Sequence, residues 1–352
     1  MARFDRLKGA KRRARTLDAS SLVSKKVLGD RGFPLVIEPE SPDVDLIEWI
    51  RSRRSELQRD LLAKGALLIR GGLQGEEGFQ KAVAALTDRT FDFAGGAATR
   101  SRVGKKLYTS TEYPSHLPIR LHNEHCYSND WPMMLFFFCA VAPEDRGQTP
   151  LAHSGQVYRA MPEEIRRRFE EKGVLYVRNY RHRHAWQSSY RTEDRREVEA
   201  VCRRAGRELE WVGEHELRTW EKRDAVRLHP ITGEKVWFNF AHGFHVSRAS
   251  DFESEQSGDR ADDVLWPNTA FYGDGSEIDP ADLDVVDRTI EENWVLFDWR
   301  VGDLVILDNM LVAHGRRPFS GQRRIMLQMA HRFSELPPQP VGYLEELSHA
   351  AG

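Results

Sequence analysis

Three residues carry types and spacings that suit metal chemistry. His122 and Glu124 stand two positions apart in Ile119-Arg120-Leu121-His122-Asn123-Glu124-His125, and His314 stands far downstream in Leu311-Val312-Ala313-His314-Gly315-Arg316. Positions i and i+2 of a strand face one side, so the first two side chains are expected to point the same way. Two imidazoles and a carboxylate can occupy one face of an octahedron around iron(II) and leave three positions for other ligands. An isolated HxE pair is weak, because 13 histidines and 54 acidic residues produce such pairs by chance and a lone histidine is more often structural. The surroundings strengthen it. Thr149 follows His122 by 27 positions, and Arg323 and Arg324 follow His314 by 9 and 10. A dicarboxylate needs a cation at its far end, which a forked guanidinium beside a hydroxyl supplies. Strand alternation sends one of the two arginines inward and the other outward; the register favours Arg323, with Arg324 as the alternative.

These residues need a frame to position them. From Asp43 to Lys64 the apolar residues recur at helical spacing, with Gly65 as a C-terminal stop. Gly65-Ala66-Leu67-Leu68-Ile69-Arg70-Gly71 reads as a buried strand, and a second amphipathic helix is expected near Glu77 to Leu86. Beyond Leu107 come short runs separated by turn signals: LFFFCAVA, TPLAHS, GVLYVRNY, KVWFNFA, WVLFDW, DLVILDN and RRIMLQMAHRF. They are rich in aromatic and β-branched residues, which suits a mainly β fold with flanking helices and a double-stranded β-helix (jelly-roll, cupin-like) core. Met133, Met134 and Phe136 to Phe138 read as strand core, and Trp299 as packing. Residues 160–226 include EEIRRRFEEK and TEDRREVEAVCRRAG, a partly helical insertion with solvated charged faces. Residues 1–30 form a basic arm too poor in apolar residues to order itself, leaving 31–352 as a single domain.

Composition narrows the partners. With 52 Lys and Arg against 54 Asp and Glu, the net charge of −2 gives no field for nucleic acid or an anionic membrane, and small molecules become the expected partners. Cys126, Cys139 and Cys202 show no CxxC spacing, so neither a disulfide framework nor a structural zinc site is expected. The basic N-terminus lacks an apolar signal core, and the run Met133 to Val141 is too short for a bilayer. A soluble, cytoplasmic protein is expected.

The ordered set GALLIRG, LYTSTEYP, LHNEHCYS, WPMMLFFFC, GQTPLA, VWFNFAHGFHVS and DNMLVAHGRRPFSGQRRI spans residues 65 to 330. It resembles the taurine dioxygenase and clavaminate synthase superfamily of Fe(II)/2-oxoglutarate oxygenases, and within it the syringomycin-type amino-acid hydroxylases of nonribosomal peptide pathways. The resemblance implies iron at His122, Glu124 and His314, the 2-oxoglutarate C5 carboxylate at Thr149 and Arg323 or Arg324, and O2 as second cosubstrate. Halogenating relatives lack the carboxylate at the Glu124 position, so hydroxylation or another oxidation is implied: desaturation, epoxidation or cyclisation remain alternatives, as does an inactive barrel acting as a binding protein. The implied substrate is an amino acid or derivative, free or on a peptidyl carrier protein. Asn123, Tyr127, Asn239, His242 and Arg316 are pocket candidates by proximity to these motifs, and His125 and His245 could join them. Departures from the family pattern at Phe238-Asn239-Phe240-Ala241-His242 and Arg183-His184-Ala185-Trp186-Gln187 point to a different substrate.

Overall fold

A computed structural model describes residues 22–91, 102–104, 107–109, 113–181, 185–248 and 266–334. The first 21 residues of the expected arm, Ser110 to Glu112 and His182 to His184 lie outside the described residues. The chain is organised around Asp130–Val141, a 12-residue strand. It sits within an eight-stranded sheet ordered Val23–Val27, Leu35–Pro39, Ala66–Ile69, Leu304–Asp308, Asp130–Val141, Arg324–Ser334, Leu107–Thr109 and Arg102–Gly104. Only the pairing of Leu35–Pro39 with Ala66–Ile69 is parallel. Val23–Val27 is strand rather than arm, so the basic segment is shorter than its expected 30 residues.

The uninterrupted apolar run of the central strand follows from burial on both faces. Met134, Phe136 and Phe138 face a layer of helices, where they pack with Trp49, Ile50, Leu57, Leu61, Phe79 and Val83. Leu135, Phe137 and Cys139 alternate to the other side and meet Leu121, Leu151 and Val312. Those three belong to a second sheet, ordered Trp294–Val295, Leu151–His153, Val312–Arg316 and Ile119–His122. The helix expected over 43–64 is two, Leu46–Ser52 and Arg54–Lys64. Asp45 caps the first by accepting the Glu48 N–H at 3.0 Å, and Arg53 ends one helix and starts the other. Gly65 does stop the second: its φ of 72° is left-handed, and a Cβ there would sit 2.6 Å from Val312 Cγ2. Helix Gly75–Leu86 extends the expected second helix by two residues. No helix among the described residues is long and apolar enough to cross a membrane.

The segment 160–226 carries a sheet as well as the expected helices Glu163–Lys172 and Arg195–Arg204. Glu208–Val212, Glu216–Arg223 and Val174–Tyr180 join Asn268–Tyr272 in a third antiparallel sheet. Tyr176 fastens it to the centre of the molecule by accepting the Phe240 N–H at 2.8 Å.

On the helix side of the large sheet, buried His331 pairs Nε2 with Thr87 Oγ1 at 2.9 Å at a backbone φ of 57°. Burial, with the Arg89 and Arg54 cations acting in the same direction, pushes its pKa down to about 4. The unfolded chain then holds a proton that the folded chain lacks between the ordinary histidine pKa, about 6.5, and that lowered value. Stability therefore falls as pH drops through this window, by at most about 1.4 kcal/mol per pH unit for this group. His331→Asn, which tolerates the left-handed backbone, is expected to flatten the decline of the thermal midpoint from pH 7.5 to 5 in metal-free protein. An unchanged slope would show that His331 does not titrate with folding.

Candidate metal centre

Strand register brings the two histidines together. Val312–Arg316 runs antiparallel to Ile119–His122 with His314 directly opposite His122, and their ring centroids lie 4.5 Å apart. Gly315 permits the approach, because a Cβ there would lie 2.6 Å from Ile119 O. The pairing shifts register between His314 and Arg316, a bulge of the kind that re-aims side chains near functional sites. Glu124 arrives differently from the strand alternation expected of it. The strand ends at His122, and Glu124 lies in the turn that follows, with His125 at φ 59°. Asn309 holds that turn: its Oδ1 accepts the Glu124 N–H at 2.7 Å, and its Nδ2 donates to Glu124 O and Pro132 O at 2.8 Å. Asn123 adds a bond from Nδ2 to Asn309 O at 2.6 Å.

One ligand atom each from His122, Glu124 and His314 fall within 4.8 Å of one another. His122 Nδ1 lies 2.9 Å from Arg120 O. A carbonyl only accepts, so Nδ1 carries the proton and Nε2 presents its lone pair. That Nε2 is 4.0 Å from Glu124 Oε2, a spacing that leaves room for an ion between them, and Glu124 Oε1 is 3.4 Å from His125 Nε2. Glu124 and His314 are buried. Two imidazoles and a buried carboxylate converging this closely fit a divalent transition metal.

Beside the histidines lies a cleft of about 420 Å³ lined by His122, Phe137, Thr149, His314, Arg316 and Arg323, with further apolar walls. Arg323 turns inward: Nε donates to Gly147 O at 3.1 Å and Nη2 to Thr149 Oγ1 at 3.3 Å. Arg324 turns outward and pairs with Glu76 at the surface. Thr149 Oγ1 also accepts from Trp299 Nε1 at 3.0 Å, so Trp299 orients the hydroxyl as well as packing. With two donors on its oxygen, the hydroxyl has its own proton to give to a bound anion. Burial, and then the neighbouring Arg316 guanidinium, push the Arg323 pKa down to about 10; an anion there would relieve both effects.

The other candidates separate. Arg316 lines the cleft, but its guanidinium donates to Tyr113 O, Pro114 O and Leu117 O at 3.0, 2.6 and 2.9 Å, tying down the turn at 113–117. Asn123, Asn239 and His242 line a second, smaller cavity behind the His122 strand. His242 Nε2 donates to Leu121 O at 2.9 Å, and burial drives its pKa to about 4, so it is neutral at physiological pH. Asn239 bonds Ala225 O and the Ala241 N–H. Tyr127 stacks on Phe244 at 5.1 Å, and His245 bonds Ser247. Sequence reasoning missed Asn309 and the fully buried His229–Asp308 pair at 3.1 Å. Asp308 Oδ1 accepts the Met310 and Leu311 N–H groups and so shapes the turn before His314. The signal was the Asp308-Asn309 pair just ahead of that turn, two residue types that favour side-chain-to-backbone bonds.

The family described as taurine catabolism dioxygenase TauD, TfdA matches residues 29–330. The chain belongs to that family. It is therefore a dioxygenase, and Fe(II), 2-oxoglutarate and O2 are the reagents of its chemistry. Among relatives, the dapdiamide synthesis protein DdaC of Enterobacter agglomerans is 33% identical over 272 residues, covering 76% of this chain and 83% of that protein. A clavaminate synthase-like protein of Arabidopsis thaliana is 30% identical over 331 residues, 88% and 96% of the two chains. In fold the chain is similar to PvcB of Pseudomonas aeruginosa, with a TM-score of 0.53, 16% identity and 88% and 91% coverage.

The TauD-family centre thus hangs on Asn309. Asn309→Ala is expected to weaken iron(II) binding by about 10- to 100-fold, the usual effect of removing a group that orients metal ligands. Asn309→Asp should do at least as much, since a carboxylate cannot donate to Glu124 O and Pro132 O. Anaerobic iron titration measures this, and wild-type affinity in both variants would remove Asn309 from the ligand support.

Proposed function

We propose that the chain is an Fe(II)/2-oxoglutarate-dependent oxygenase that hydroxylates an unactivated C–H bond of an amino acid or amino-acid derivative in natural-product biosynthesis. The observation that carries this is the cluster of His122, Glu124 and His314 ligand atoms, whose two histidines line one cleft with the Arg323–Thr149 pair. In this reading the two layered sheets are the double-stranded β-helix core of a single domain that takes in Val23–Val27 and works in the cytoplasm. The kinship with DdaC, a dapdiamide synthesis protein, supports a biosynthetic setting. Glu124 supports hydroxylation, since the resemblance associates halogenation with loss of that carboxylate.

Iron(II), 2-oxoglutarate and dioxygen supply the oxidation of the C–H bond; the chain's residues position them and keep water away. His122 offers Nε2 because Arg120 O holds its other ring proton, and Glu124 offers a carboxylate in a turn fixed by Asn309. Arg323 and Thr149 hold the C5 carboxylate of 2-oxoglutarate by two charge-assisted or oriented hydrogen bonds. Phe137, Ile325 and Leu327 line the stretch between metal and clamp with apolar surface, which suits methylenes and excludes water.

Two substitutions test the roles separately. His314→Ala is expected to abolish both the anaerobic iron(II)–2-oxoglutarate charge-transfer absorption and substrate-dependent succinate formation. Arg323→Gln should keep the iron but raise the KM for 2-oxoglutarate by about 10- to 100-fold, the range for losing a hydrogen bond to a charged group, whereas Arg324→Gln should change it little. A product heavier by one oxygen, with an alcohol carbon in its NMR spectrum, supports hydroxylation; an epoxide of the same mass, or loss of two hydrogens by desaturation or cyclisation, would replace it.

A further inference from the structure

The third sheet carries a second arginine–threonine pair that nothing among the described residues hydrogen-bonds. Arg178 is buried, 6% exposed, and lies on the face of Val174–Tyr180 that also presents Tyr176. Its guanidinium packs over the Tyr127 ring at 4.7 Å and near Phe244 at 6.0 Å. Nε and Nη2 are buried without a hydrogen-bond partner. Directly across the ladder stands Thr219, 1% exposed, whose Oγ1 also has none. Opposed residues of antiparallel strands project to one face, so the two unfilled groups are neighbours. Buried polar groups are almost always paired, and an unpaired buried guanidinium is the costlier kind.

The surrounding charges do not answer it. Among the described residues on this side of the sheet, the buried carboxylate is Glu221, and it is already shared: Oε1 accepts from Arg207 Nε and Nη2 at 3.0 and 2.8 Å, and Oε2 pairs with Arg223. Three arginines therefore face one glutamate. The aromatic neighbours of Arg178 lead to the metal ligands. Tyr127 lies 5.6 Å from the His125 ring, and Phe244 lies 5.3 Å from Phe240, which is 5.4 Å from His122.

We propose that Arg178 and Thr219 form an anion subsite that takes the free carboxylate of the primary substrate. The inference rests on the oxygenase reading above and narrows its substrate to a free α-amino acid rather than one tethered through its carboxyl group as a thioester. The chemistry repeats that of Arg323 and Thr149: a guanidinium fork meets the carboxylate oxygens while a hydroxyl gives its proton to one of them. The apolar rings around it lower the local dielectric and strengthen the ion pair.

The test uses the iron-loaded full chain with 2-oxoglutarate and a panel of free α-amino acids, their methyl esters and the same acids loaded on a peptidyl carrier domain, following succinate and product mass. Free acids are expected to be turned over and esters poorly. Arg178→Gln is expected to raise KM for the free acid about 100-fold, Arg178→Lys less, and the near-isosteric Thr219→Val about 10-fold, the range for losing bonds to a charged group. The KM for 2-oxoglutarate and the anaerobic charge-transfer absorption should stay as in the wild type, which a merely structural role for Arg178 would not separate from the substrate effect. Turnover of esters or carrier-loaded acids only, turnover of nothing in the panel, or an unchanged substrate KM in Thr219→Val and Arg178→Lys would each overturn the subsite. Loss of the charge-transfer absorption in the wild type would overturn the oxygenase reading itself, and the subsite with it.

Discussion

The antiparallel pairing of Val312–Arg316 with Ile119–His122 is the constraint on which the centre depends. Backbone hydrogen bonds fix which residues stand opposite, and a slip of one residue would send His314 to the other face. The register puts His314 across from His122, while Gly315 lets the strands close because any side chain there would strike Ile119 O. A carboxylate ligand then has to reach the same point from outside the ladder. Asn309 accomplishes this by bonding both the N–H and the C=O of Glu124, so that the turn after one ligand is locked to the turn before the other. The ligand geometry is thus a property of backbone pairing and one amide side chain rather than of the ligands themselves.

Charge placement follows from that frame. Asp308 and His229 are buried polar groups that pair with each other and with the turn backbone, while Asn309 is paired with the backbone of Glu124 and Pro132; buried polar groups paired in this way rigidify what they hold. Arg316 commits Nη1 and Nη2 to three carbonyls of the 113–117 turn. Arg323 makes two such bonds, to a carbonyl and a hydroxyl, and no carboxylate among the described residues pairs with it. A buried cation paired only with neutral acceptors favours an anionic guest, and its place at the end of an apolar-walled cleft sets the guest's length and polarity.

The chemistry-bearing residues were legible because their types are rare and their order is distinctive. His122, Glu124 and His314 form one cluster, the two histidines share a cleft with Thr149 and Arg323, and Arg323 turns inward from the loop just before the strand that Arg324 opens. The strand Ala66–Ile69 and the central strand were legible from apolar runs bounded by glycine or turn residues. Illegible features were those set by tertiary closure. Glu124 reaches the site through a turn, so the i, i+2 argument gave the right neighbour for the wrong reason. Arg53 breaks the helix within the apolar-free stretch 51–56, where no glycine or proline marks a stop. Trp299 looked like packing because its apolar body is, and only its indole N–H meets Thr149. Asn123, Asn239 and His242 were chosen from the family motifs but line a separate cavity on the far side of the His122 strand.

That last point explains why motif proximity is a poor guide to substrate recognition in this fold. Residues adjacent to the ligands are committed to holding strands and turns: Asn123 to Asn309, His242 to the carbonyl before His122. Groups left for a substrate must come from elements that pack against the core without building it, as the third sheet does through Tyr176 and Phe240. Such a sheet can vary its inward face while the ladder carrying the histidines stays fixed. The reactive centre is accordingly encoded in short ordered motifs, and substrate selection in residues such as Arg178 that no motif surrounds.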